Sequence, residues 1–245
     1  MTCEAVAPAN KHEGRVAIIT GGGAIGGAIA RRLHDEGAAV HVLDVQPSSV
    51  PGTGFHLVDA GNEAEVDAAF SAIGKSAGRI DYLICCAGIY RPAPFLDLRL
   101  EDWQKTLQIN LTGCFLCCRA ALRFMRPQSF GRIVMFSSMI ARTGAVNSAD
   151  YAASKGGVLG LARSLAIESA AEGIRVNTIS PTITDTPMPR AILTDEEIES
   201  KKLQIPLGRI GSAADMAEAC MFLLSDDASY VLGQDLRVNG GSTLW

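Results

Sequence analysis

Apolar residues in this chain fall into short unbroken runs separated by longer stretches of helical period. The runs cover residues 15–20 (RVAIIT), 38–44 (AAVHVLD), 54–59, 79–86 (RIDYLICC), 132–137 (RIVMFS), 174–180 (IRVNTIS) and 234–238. They read as continuous rather than alternating, as expected for parallel strands covered on both faces. Residues 26–36, 62–77, 101–126, 150–171, 194–203 and 212–225 read as helices. In 62–77 the apolar positions Val66, Ala69, Phe70 and Ile73 share one face. Gly37 and Pro127 close the first and third of these helices. Strands interleaved with helices predict a doubly wound α/β sheet, one domain over residues 14–245 behind a loose arm at 1–13.

Between the first strand and the first helix lies TGGGAIGG, where Gly21, Gly23 and Gly26 fit G-x-G-x-x-G. Absent side chains allow a tight turn, backbone contact with a pyrophosphate and close packing of helix on strand. The positive end of the helix then faces the phosphates. The pattern gains meaning from context: it follows a strand, opens a helix and precedes Asp44, 18 residues after Gly26, at the end of the second strand. A carboxylate there accepts bonds from ribose hydroxyls and repels a 2′-phosphate. Val45 and Gln46 follow it, with no Arg or Lys, so NAD is expected over NADP. Asp44 has a second reading, as the start of a turn before Pro47.

The stretch FSSMIARTGAVNSADYAASKGG carries the candidate chemistry. Tyr151 and Lys155 are four residues apart, one helical turn. A free tyrosine loses its proton only near pH ~10, and a nearby ammonium favours the phenolate. Ser138 offers a hydroxyl to hold a carbonyl or alcohol oxygen while the tyrosine moves its proton. Taken alone, a Y-x-x-x-K pair is commonly a surface pair.

Together these pieces resemble the short-chain dehydrogenase/reductase family over nearly the whole chain, from Arg15 onward. Matching pieces include Val58-Asp59, Ala87-Gly88, Asn110 in LQINLTGCF, Ser138 thirteen residues before Tyr151, RVNTISP ending at Pro181, and the closing PLGRIGSAADMAEACMFLLSDDASYVLGQDLRVNGG. The resemblance and the alternation together imply a Rossmann-type sheet of about seven strands in the order 3-2-1-4-5-6-7. By resemblance, Asn110 anchors a water linking Lys155 to solvent, and Ser138 orients the substrate oxygen. Tyr151 is the proton donor or acceptor, and Lys155 favours its phenolate and holds the nicotinamide ribose. Asn110 also reads as a helix-bend residue whose amide bonds a local carbonyl. The cofactor contacts it implies are Gly21, Gly23, Ala24, Ile25, Gly26, Asp44, Val45, Asp59, Ala60, Ala87, Gly88, Tyr151, Lys155, Pro181, Thr182, Ile183 and Thr186. Thr186 would meet the carboxamide, or else serve as a helix cap before Pro187.

Four positions depart from the family pattern. The glycine turn is one residue shorter, with Ala24 where a glycine is usual. Cys85-Cys86 replaces Asn-Asn, Thr182 replaces a glycine, and Asn239 stands where Asp is common.

Composition bounds the remaining possibilities. The 245 residues carry a formal charge of −4 and show no basic run, so nucleic acid is not an expected partner. No segment reaches membrane-span length, and the N-terminus lacks a signal pattern, so a cytoplasmic protein is expected. Seven cysteines and four dispersed histidines give no zinc-site spacing, so no metal is expected and the thiols read as buried and free.

The expected activity is that of an oxidoreductase exchanging hydride between NAD(H) and a secondary alcohol or ketone. Substrate walls are expected at residues 88–95 and 139–150, with a lid at 183–205. Ser138, Ile140, Ser148 and Tyr151 are the expected substrate contacts, and Tyr90, Arg91, Arg142, Asn147 and Asp150 give these walls a polar character suited to a polyol or sugar. Rival readings are a hydroxysteroid or acyl substrate, carbonyl reduction as the working direction, and a non-catalytic NAD-binding sensor. A homotetramer is expected, with a dimer as the alternative. Cys114, Cys118, Ala152, Gly156 and Gly160 either support helix approach between subunits or pack on the sheet.

Overall fold

The computed structural model describes residues 10–47 and 50–244, so most of the expected N-terminal arm lies outside the described residues. Of that arm, residues 10–13 are described, and His12 is already buried there. The strands are β1 (Val16–Thr20), β2 (Ala39–Asp44), β3 (Gly54–Leu57), β4 (Tyr82–Cys85), β5 (Gly131–Phe136), β6 (Ile174–Pro181) and β7 (Asp235–Val238). They form one sheet in the order β3-β2-β1-β4-β5-β6-β7, every neighbouring pair parallel. The helices are α1 (Ala24–Asp35), α2 (Glu63–Ala77), α3 (Leu100–Leu107), α4 (Gly113–Met125), α5 (Ile140–Thr143), α6 (Ala149–Ser169), α7 (Pro187–Arg190), α8 (Asp195–Leu203) and α9 (Ala213–Leu224).

Alternate strand residues feed two separate cores, because successive side chains point to opposite faces. Val16, Ile18, Leu83 and Ile133 pack under α2, α4 and α6, joined by Phe70 and Met125. Ala17, Ile19, Ile84 and Val134 pack under α1 and α9, with Leu33 and Leu224. Burying one such side chain stabilises the fold by about 1.5–3 kcal/mol.

Three expectations change in detail. The single helix expected over 101–126 is α3 and α4 joined by a π-helical turn, Gln108–Thr112, that contains Asn110. The strands expected over 54–59 and 79–86 are shorter at their ends. The segments that form α5 and α7 were too short to register by period, each being four residues long.

Candidate active site

The chemistry gathers where a parallel sheet offers it, at the carboxyl ends of the strands, around the point where strand order reverses between β1 and β4. The glycine turn leaves β1 there. Gly21 has φ of 82°, and a Cβ on it would fall 2.7 Å from the Ala87 backbone nitrogen. A Cβ on Gly26 would lie within bonding reach of the Gly21 carbonyl, so the helix sits directly on the turn. A Cβ on Gly23 would meet nothing within 4 Å, which leaves an open approach to the amino end of α1. That helix end has no side-chain cap and no acid in its first turn. An uncapped, open helix N-terminus is the arrangement a pyrophosphate requires. The shortened turn therefore fits a dinucleotide.

Asp44 is half-buried at the end of β2. Its Oδ2 accepts from the Gly22 N–H at 2.6 Å and its Oδ1 from the Gln46 N–H at 3.0 Å. The turn reading is seen directly, and the same bonds fix the carboxylate beside the glycine loop. Val45 is exposed next to it. Asp59 is exposed, and its Oδ1 accepts from the Gly61 N–H at 2.8 Å. Ala60 instead turns into the core, where it lies against Gly113. Ala24 opens α1, and Ala87 closes over Gly21.

A cavity of about 680 Å³ opens beside this turn. Ten of the expected residues line it: Ile25, Gly88, Ser138, Ile140, Tyr151, Lys155, Pro181, Thr182, Ile183 and Thr186. Ser138 follows β5 and is buried; its Oγ accepts from the Ile140 N–H at 3.2 Å, and its own proton remains available. Tyr151 and Lys155 come from the first turns of α6. Lys155 Nζ donates to Phe136 O at 2.7 Å and stands 5.8 Å from the Tyr151 ring centre. Two ammonium protons are left for further partners in the cavity.

Asn110 is fully buried behind Gly88 and Lys155. Its Oδ1 accepts from Ile89 N–H at 2.8 Å, while Nδ2 donates to Ile89 O at 2.9 Å and to Ser154 Oγ at 3.1 Å. The amide thus fastens the loop after β4 to the π-helical turn. A Cβ on Gly88 would lie 3.2 Å from Asn110 Oδ1 and 3.5 Å from Lys155 Nζ, so these groups meet at one point.

The polar wall is not where the sequence suggested. Ser148 is buried outside the cavity lining, its Oγ 2.7 Å from the Tyr90 hydroxyl. Arg142 pairs with Asp235 at 3.1 Å, and Asp150 accepts from Thr106 Oγ1 at 2.6 Å. Of Tyr90, Arg91, Arg142, Asn147, Ser148 and Asp150, only Tyr90 lines the cavity. Its ring packs on Tyr151 with centroids 4.6 Å apart. The wall facing the rest of the substrate space is mostly apolar, from Val146, Ile183, Met188, Ile192 and Leu193. Ser242 and Thr243 also line it, and nothing local in the sequence marks them. They arrive because the chain turns back after β7 through Gly240 and Gly241, both at positive φ.

The departures at Cys85 and Cys86 become hydrophobic packing. Cys85 is buried beside Cys114 and Cys118; against the Cys114 contact, which lowers it, the Cys118 contact and burial hold its thiol well above the usual range. Cys86 lines the cavity, and burial pushes its thiol up as well. No cluster of three metal-ligating side chains occurs among the described residues. Thr182 tolerates the loss of glycine because its φ is not positive.

A model of the family described as Enoyl-(Acyl carrier protein) reductase matches residues 21–243. The chain is 36% identical over 238 residues to the 3-oxoacyl-[acyl-carrier-protein] reductase FabG of Vibrio cholerae, covering 94% of this chain and 97% of that one. It is 39% identical over 242 residues to the cis-4-hydroxycyclohexanecarboxylate dehydrogenase of Sinomonas cyclohexanicum, covering 94% and 96%. The ligand-free aldohexose dehydrogenase of Thermoplasma acidophilum superposes with a TM-score of 0.91 at 30% identity, covering 95% of each chain.

Proposed function

Because the chain belongs to the short-chain dehydrogenase/reductase family, we propose that it interconverts a secondary alcohol and its ketone with NAD(H). The observation that carries this reading is the convergence of Ser138, Tyr151 and Lys155 on one cavity beside an open helix N-terminus. Bound nicotinamide supplies the hydride acceptor in one direction and the donor in the other. Tyr151 Oη takes the hydroxyl proton in oxidation and returns one in reduction. Ser138 Oγ donates to the substrate oxygen where charge builds up. Lys155, held by Phe136 O, sets a positive charge 5.8 Å from the Tyr151 ring centre and would hold the nicotinamide ribose. Asn110 keeps the loop of Gly88 and Ile89 in register with α6.

The cofactor proposed is NAD, on the strength of the Asp44 carboxylate beside the glycine turn. The dinucleotide is expected to meet Gly21, Gly23, Ala24, Ile25, Gly26, Val45, Asp59, Ala87, Thr182 and Thr186 as well. Ala60, its side chain in the core, could meet the dinucleotide only through its main chain. The free, buried thiols fit a reducing, cytoplasmic setting.

For the substrate, the apolar walls favour a compact ring or short chain bearing one secondary alcohol, in keeping with the hydroxycyclohexane named for the Sinomonas relative. The polyol or sugar reading keeps support from Thr143, Ser242 and Thr243 on the wall and from the aldohexose dehydrogenase likeness. Absorbance of NADH on mixing protein, NAD⁺ and a panel of ring alcohols, polyols, sugars and steroids tests this. Ring alcohols are expected to turn over fastest. NAD⁺ binding without turnover of any of them would favour a sensor.

A further inference from the structure

Two charged side chains line the cavity, Lys155 and Lys201, and no acidic group joins them on its wall among the described residues. Lys155 is buried and engaged by Phe136 O. The Lys201 side chain has neither a hydrogen bond nor an ion pair among the described residues, although the lid around it is rich in charge. Several of its neighbours have partners of their own. Lys202 pairs with Glu199, Arg190 pairs with Asp185 at 2.6 Å, and Glu197 accepts from the Thr194 N–H at 2.8 Å.

The position of Lys201 is set by the helix that carries it. Ile198 and Ile205 are buried in a small lid core with Ile210. Ile198, Lys201 and Gln204 recur at three-residue spacing, and the last two both line the cavity. The lid core is tied to the segment that follows β6 by the Thr184–Gly211 bridge and by the Gly211 N–H bonded to Ile183 O at 3.0 Å. The capping box of Thr194 and Glu197 fixes the start of α8. Lys201 therefore brings a positive charge to an apolar wall that holds no counter-charge.

We propose that Lys201 receives a carboxylate carried by the substrate away from its reacting carbinol, so that the preferred substrates are anionic secondary alcohols and ketones with an apolar body. This rests on the alcohol–ketone reading above. The cofactor's pyrophosphate is the other available anion. It is assigned to the glycine turn, of which Ile25 alone reaches this cavity. Lys201 is solvent-exposed, so its contribution is moderated by water.

Calorimetry on the NAD⁺-loaded protein tests the proposal with cyclohexanecarboxylate and its neutral carboxamide as probes. The carboxylate is expected to bind roughly tenfold tighter than the amide, the scale of one charge-assisted hydrogen bond. Lys201→Met should erase that preference, Lys201→Arg should keep it, and NAD⁺ binding should be unchanged in both. Turnover of a hydroxycyclohexanecarboxylate should fall by the same factor in Lys201→Met, while turnover of cyclohexanol stays as in the parent. A carboxylate preference that survives Lys201→Met would overturn the proposal. So would weakened NAD⁺ binding with the acid-to-amide ratio intact, which would give the lysine to the cofactor. Loss of the preference in a protein that turns over no alcohol would uphold the anion site and refute the dehydrogenase reading instead.

Discussion

Asn239 shows how much one side-chain atom decides. Its Nδ2 donates to Thr243 O at 2.8 Å and its Oδ1 accepts from the Gly241 N–H at 3.1 Å. The aspartate common in the family at this point cannot donate, so here the amide holds the returning tail that brings Ser242 and Thr243 to the cavity. Asn239→Asp is expected to cost about 1–3 kcal/mol, the range for leaving a buried partner unsatisfied, and to raise KM for the alcohol more than it lowers kcat. Thermal melting and steady-state kinetics check both. At this scale the sequence was most legible where spacing carries chemistry, as with Ser138, Tyr151 and Lys155. It was least legible where a polar side chain is consumed by a distant partner. Arg142 and Asp150 read as substrate walls, yet their partners Asp235 and Thr106 lie far away in the chain. A pattern of residue types does not show which of them are already satisfied.

Elements were legible in kind and less so in their joints. The helix expected over 101–126 was right in extent, but its period gave no hint of the π-helical turn at Gln108–Thr112. The extra residue in that turn is where Asn110 reaches Ile89 and Ser154, an arrangement frequent at functional sites. The edge of the sheet carries a different consequence. His41 on β2 and His56 on β3 lie with ring nitrogens 3.1 Å apart. Burial lowers both below the usual 6.5, and the His56 ring further disfavours charge on His41. His12, buried against Tyr82 and Glu36, is lowered as well, again chiefly by burial. The unfolded chain therefore binds more protons than the folded one below about 6.5. Stability is expected to be fully present above that pH and to fall as the pH drops through the depressed folded values. Melting temperatures from pH 7.5 to 5 measure this, and His41→Asn should flatten the slope.

At the scale of the molecule, continuous apolar strands and interleaved helices gave a parallel doubly wound sheet, while the strand order was legible only through the family resemblance. The shape of the cavity did not follow, because it joins segments from Ile25 to Thr243 that only the completed fold brings together. Assembly divides the small residues of the long helices in two. Cys114 and Cys118 pack into the core, whereas Ala152, Gly156 and Gly160 recur every four residues along α6, and Cβ atoms on the two glycines would meet nothing. We propose that this strip, with exposed Ile167 farther along the helix, joins subunits of a homotetramer. Sedimentation is expected to give about four times the 25.8 kDa chain, and a large residue at Gly160 should dissociate it. The central claim remains proton transfer by Tyr151, and the most direct measurement is NADH formation by Tyr151→Phe alongside its NAD⁺ affinity. A fall of about 100-fold or more in turnover with NAD⁺ affinity unchanged is predicted, whereas turnover within a few fold of the parent would contradict the account.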